Sequence, residues 1–285
     1  MQTETLENEE WVPPPPPQEV PVAELIFTPD NPPWNVWAAV GVWLASVAFI
    51  VFFPNIFLLP YIAQQEFQIA DEATLRQFID TDPLAIVLRI SAIIPAHILT
   101  LLLAWILVTR FNRLSFRQTL GWVSGGMRWW HYFIVLGGFY VAAATIGYIF
   151  PEQDNEMMRM LQSSRTAVYI VAILATFSAP LVEEVIYRGL LFSALQRKAG
   201  GVSAIFIVTL LFAGVHFFQY WGSPGTLILI TFLSLMLTLI RYKTKSLLPC
   251  IILHTLMNGV QSLFLLLQPY MPKPEEAAGL IHFIK

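Results

Sequence analysis

The sequence predicts an all-α fold, a polytopic transmembrane bundle of about seven to eight membrane helices, and three observations predict it. Of 285 residues 56% are hydrophobic and only 12% charged, against roughly 25% charged in a typical soluble domain. A bilayer core of about 30 Å needs around 20 mainly apolar residues per helix, and seven runs of about that kind lie between the charge clusters. The basic residues gather in alternate loops, as the positive-inside rule requires of a chain that crosses repeatedly.

The runs fall near residues 34–63, 83–111, 129–150, 166–195, 202–221, 226–240 and 246–267. The first is long enough for Pro54 and Pro60 to bend it or end it early, since proline lacks the N–H of the helical ladder. In the second, His97 follows Pro95 and reads as a hydrogen-bond partner between helices. Gly137, Gly138 and Gly147 in the third and Gly214 in the fifth are expected at close helix contacts. The aromatics Trp129, Trp130, Tyr220 and Trp221, together with His131 and His282, sit near run ends and read as interfacial. The sixth run is the shortest, which predicts little tilt or a partly re-entrant path.

Arg110, Arg113, Arg117 and Arg128 follow the second run; Arg197 and Lys198 follow the fourth; Arg241, Lys243 and Lys245 follow the sixth. If every run spans once, these loops share one side, the cytoplasmic one, with the N-terminus there and the C-terminus opposite. The expected location is an integral, multi-pass position in a bacterial-type plasma membrane. Residues 1–33 combine seven acids, no Lys or Arg and the run Pro13–Pro17, a composition that predicts a disordered tail favouring polyproline II. Residues 34–285 then form one transmembrane helical domain. A net charge of −3 with no single basic patch gives no case for nucleic acid. The lone cysteine, Cys250, can form no disulfide within the chain. No internal repeat of the transporter kind is evident.

Ionisable groups inside a span cost roughly 2.5–3.5 kcal/mol each on insertion scales, yet three runs carry them. The fourth holds Glu183, Glu184 and Arg188, the fifth His216, and the seventh His254 with Asn258. Glu184 and Arg188, four apart, can pair on one helix face; Glu183 points about 100° away and has no obvious local partner. Counting at about 1.5 Å per residue, Glu183 lies ~21 Å from Arg197, His216 ~22 Å from Gly201, Asn258 ~20 Å from Lys245 and His254 ~14 Å from Lys245. A carboxylate, two imidazoles and an amide in one layer suit amide hydrolysis. Glu183 takes a proton from water, His216 orients that water or shares the proton, and His254 and Asn258 donate to the oxyanion.

The pattern Glu-Glu-x-x-x-Arg at Glu183, Glu184 and Arg188, then Phe-x-x-x-His at Phe212 and His216, then His-x-x-x-Asn at His254 and Asn258 resembles the signature of the CAAX protease and bacteriocin-processing (CPBP, or Abi) family. The resemblance covers about residues 166–268, a protease-like core. It implies a membrane-embedded endopeptidase in which Glu183 and His216 activate water, His254 and Asn258 form the oxyanion hole, and Glu184, Arg188 and Phe212 support the site. The expected partners are a membrane-associated protein or peptide substrate and the lipid bilayer. No cofactor is required, although Glu183, His216 and His254 offer a ligand set for a divalent metal such as Zn²⁺; the metal-free reading is preferred. Two other classes compete: a proton-coupled transporter, and a non-catalytic scaffold or immunity protein retaining the polar cluster.

Overall fold

A computed structural model describes residues 27–64, 72–151 and 164–270. Among these, six helices are long and apolar enough to cross a membrane, and a seventh apolar helix is shorter. The chain is an integral, multi-pass membrane protein. The helices are α1 (Val36–Gln64), α2 (Glu72–Thr81), α3 (Pro83–Ser91), α4 (Ile93–Thr109), α5 (Phe116–Thr119), α6 (Trp129–Ile149), α7 (Arg165–Ala199), α8 (Gly201–His216), α9 (Pro224–Thr244) and α10 (Leu248–Leu267).

Sequence punctuation accounts for most of the boundaries. Asp82 caps α3, its carboxylate accepting from the Leu84 and Ala85 amides at 3.0 and 2.8 Å, with Pro83 in the first turn; proline is tolerated there because that N–H has no helical partner anyway. The second span is broken only at Ala92, three residues before Pro95, whose missing N–H removes the bond to the Ser91 carbonyl. Pro54 and Pro60 do not end α1, which runs on to Gln64. The sixth run is not the short one: α9 is extended at both ends to 21 residues, and α8, with 16, is the short member. The fifth run's last residues leave the helix at Phe217 and form a turn.

α7 is the centre of the bundle. α1, α4, α8 and α10 all pack on it, α8 and α9 form a hairpin, and α6 leans on α9 and α10 from outside. Val185, Ile186, Leu190, Leu191 and Phe192 of α7 sit in the main core with Ala104, Val108, Val208 and Phe212. The glycines expected at close contacts are elsewhere: a methyl group on Gly137, Gly138, Gly147 or Gly214 would meet nothing within 4 Å. Gly189 is the tight position beside the polar cluster, where a Cβ would stand 3.2 Å from Leu120 Cδ2 and 3.6 Å from Leu247 Cδ2.

Residues 27–33, expected to be tail, are docked on the protein, while residues 1–26 lie outside the described residues. Arg110 donates to the Pro33 carbonyl at 2.7 Å, Arg197 to the Pro32 carbonyl and to that of Trp34 at 2.8 Å, and Arg241 to that of Pro29 at 3.0 Å. Lys245 pairs with Asp30 at 3.2 Å. A proline-rich stretch offers carbonyls that no helix uses, and arginine forks supply the donors. One segment thus touches all three basic loops, which places those loops on a single face. Arg241 is only 1% exposed, with Asp30 Oδ1 3.6 Å from its Nη1, so the segment also brings a carboxylate to a buried guanidinium.

Candidate active site

α7 is not a regular helix where it carries the carboxylates. It is π-helical over Leu174–Ser178, α-helical over Ala179–Glu183, and π-helical again over Glu184–Leu191. Such wide turns are rare and concentrate at functional sites. The first has a local cause. The Ala179 amide bonds the Leu174 carbonyl, five residues back, and Pro180 has no N–H to give, so the Ala175 carbonyl loses both of its helical donors. Asn258 Nδ2 of α10 fills the place at 2.9 Å. Nearby, His97 Nδ1 meets Ser178 Oγ at 2.6 Å, the interhelical role expected of His97.

The second wide turn carries the buried ion pair. Arg188 Nη1 lies 2.9 Å from Glu184 Oε1, both side chains at 0% exposure. The guanidinium also donates from Nε to Thr238 Oγ1 at 3.2 Å and from Nη2 to the Ser234 carbonyl and hydroxyl at 2.9 Å each, and it lies 4.7 Å from the Phe212 ring centroid. A buried charge pair offsets its desolvation only when its remaining donors and acceptors are met; α9 meets Arg188 Nε and Nη2, while Glu184 Oε2 is buried with no hydrogen-bond partner among the described residues. Ser234 and Thr238, four apart in an apolar run, were the sequence signal for this support, and sequence reasoning passed over it.

His254 joins the two carboxylates. Its Nδ1 is 2.8 Å from Glu184 Oε1 and its Nε2 is 3.7 Å from Glu183 Oε2. Consecutive helical residues diverge by about 100°, and an imidazole wedged between them presents a nitrogen to each. Glu183 therefore has a partner after all, contributed by α10 and not by its own helix. Its side chain remains 24% exposed, while His254 is at 2% and Glu184 at 0%, so Glu183 is the carboxylate open to a reactant.

His216, at the end of α8, is tied by Nδ1 to the Phe212 carbonyl at 2.8 Å. A carbonyl only accepts, so Nδ1 carries the hydrogen and Nε2 is left as the basic nitrogen in the neutral ring. Phe212 is the hub of the group, with ring centroids 5.0 Å from His216, 6.1 Å from His254 and 5.0 Å from Tyr187. The structure thus gathers Glu183, Glu184, Arg188, Phe212, His216 and His254, and places Asn258 one turn along α10 with one amide hydrogen committed to Ala175. Tyr187, Trp43 and Trp34 were not found by sequence reasoning: Trp43 Nε1 donates to Tyr187 Oη at 3.0 Å and Trp34 Nε1 to the Leu190 carbonyl at 3.1 Å. His131 Nδ1 accepts from the Arg128 amide at the start of α6; His282 lies outside the described residues.

Among the described residues no group of three or more His, Cys, Asp or Glu side chains is arranged to hold a metal ion; of the three residues named for one, His254 lies between two carboxylates and His216 has Nδ1 engaged by the Phe212 carbonyl.

Residues 165–260 match the family model described as Type II CAAX prenyl endopeptidase Rce1-like. The matched segment contains all three motifs, agrees with the resemblance read from them, and supports a CAAX-type endopeptidase of the membrane. Neither a curated protein nor a solved structure is significantly similar to the chain.

Proposed function

We propose that the protein is an intramembrane endopeptidase that hydrolyses a peptide bond of a membrane-associated protein or peptide with water activated by Glu183 and His216. One observation carries the reading: two adjacent carboxylates take the two nitrogens of His254, and only one of them is open. Glu184, paired with Arg188, is committed to holding the imidazole, leaving Glu183 for chemistry.

In this mechanism the water between Glu183 and His216 gives its proton to the carboxylate or to His216 Nε2 as its oxygen attacks the substrate carbonyl carbon. His254, its ring held by Nδ1–H on the Glu184 carboxylate, donates from Nε2 to the oxyanion when that nitrogen carries a proton; the second amide hydrogen of Asn258 is the other donor. Collapse of the tetrahedral species breaks the C–N bond, and the proton held by Glu183 or His216 goes to the leaving amine. No step needs a metal. The basic face is taken as cytoplasmic, with substrate entering from that side or laterally from lipid; the family match favours peptides whose C-terminus is a prenylated CAAX motif.

The test compares wild type and Glu183→Gln in membranes, following a fluorogenic farnesylated CAAX peptide and the membrane proteome together. The amide keeps the shape but cannot take the proton, so cleavage should fall by at least about a hundredfold with the protein still folded and inserted. Equal cleavage by both proteins removes the mechanism. A wild type that cleaves nothing in either readout leaves the scaffold reading in its place.

A further inference from the structure

The second wide turn, Glu184–Leu191, has no proline to enforce it, so something outside α7 must hold it in that register. Two indole N–H groups from the N-terminal part of the chain end on it. Trp34, 3% exposed, donates to the Leu190 carbonyl. Trp43 of α1 donates to the hydroxyl of Tyr187, whose ring stands edge-on to Phe212 at 5.0 Å, and Phe212 faces both catalytic imidazoles. Trp34 is itself fixed by the arginines that seat residues 29–34: Arg197 bonds its own carbonyl and Arg110 that of Pro33.

A wide turn takes up more chain than an α turn, so relaxing it by one residue rotates everything before it by about 100° relative to everything after it. Phe192–Ala199, which follows, is anchored through Arg197. The rotation would therefore fall on Glu183 and Glu184, and it would take them off the two nitrogens of His254. An indole can only donate, which makes each contact a directed restraint on one atom of the turn as well as packing.

We propose that Trp34 and Trp43 are positioning residues that hold the Glu184–Leu191 turn in its wide register and thereby set both carboxylates against His254. The inference rests on the peptidase reading for its functional meaning, but its physical content is a statement about His254 and the turn.

The test uses the full chain in lipid nanodiscs as Trp34→Phe and Trp43→Phe, each removing the N–H while keeping an aromatic ring, with the exposed Trp129→Phe as control. Two quantities are read: the ¹⁵N resonances of the His254 ring, and amide hydrogen exchange across 184–191. The expected result is a shift of the His254 resonances in both variants, exchange in the turn about fivefold faster with little change in the other helices, at most a small fall in thermal midpoint, and no effect of Trp129→Phe. Unaltered His254 resonances and exchange in both variants overturn the proposal. So does a fall in thermal midpoint with exchange rising evenly through all helices, which would make the two rings packing alone. If Trp34→Phe does not insert, Trp43→Phe decides by the same criteria. Cleavage by the wild type is a separate measurement, so failure of the peptidase reading is told apart from failure of this one.

Discussion

The two wide turns of α7 flank Glu183 and arise in different ways. Leu174–Ser178 is dictated within a few residues: Pro180 withholds an N–H, the ladder shifts by one, and the freed Ala175 carbonyl takes Asn258. Glu184–Leu191 has no such breaker and is held from a distance, by Thr238 and Ser234 of α9 on Arg188 and by Trp34 and Trp43 on Leu190 and Tyr187. One irregularity is written beside itself and the other is distributed over the chain. Irregular helix at a functional site thus need not carry a local sequence mark.

Three substitutions separate the two cases by the size of their effects. Arg188→Met in the distributed turn leaves the Glu184 carboxylate buried without its counter-charge, and a loss of about 3–5 kcal/mol is expected, read as the thermal or denaturant midpoint in detergent; a loss under about 1 kcal/mol would mean that the pair adds little. Asn258→Leu in the local turn should cost about 1–3 kcal/mol through the unsatisfied Ala175 carbonyl. The same change in a Pro180→Ala background should cost much less, because an N–H is restored to the ladder; equal costs in both backgrounds would remove proline as the cause of the first turn. Ser178→Ala, which strips one hydrogen bond from His97, should have the smallest effect, about 0.5–1.5 kcal/mol, measured in the same assay.

Most of the bundle was legible because bilayer solvation imposes long apolar runs on the chain, and the seven runs correspond to the six long helices and α8. The lengths of α8 and α9 were exchanged in the reading because hydropathy sees the aromatic turn after His216 as continuous with its helix. The Glu184–Arg188 pair followed from spacing alone. Its support by Ser234 and Thr238 followed the same i to i+4 rule, but hydroxyl residues are common enough in spans to pass unnoticed. The insertion of His254 between the glutamates could not be read, since it depends on which way α10 faces. The docking of residues 27–33 was not legible for a related reason: their composition lacks what a core needs, and the arginines that bond them lie 77 to 212 positions away.

α8 has a length that matters beyond packing. Sixteen residues at about 1.5 Å each make a rod of about 24 Å, shorter than a hydrocarbon layer of about 30 Å. Local thinning of the membrane is one way to accommodate a short span, and His216 stands at one of the two ends of this rod. On the proposed peptidase reading, hydrolysis needs water in a medium that holds almost none, and a helix cut short beside His216 would let the aqueous phase dip to meet it.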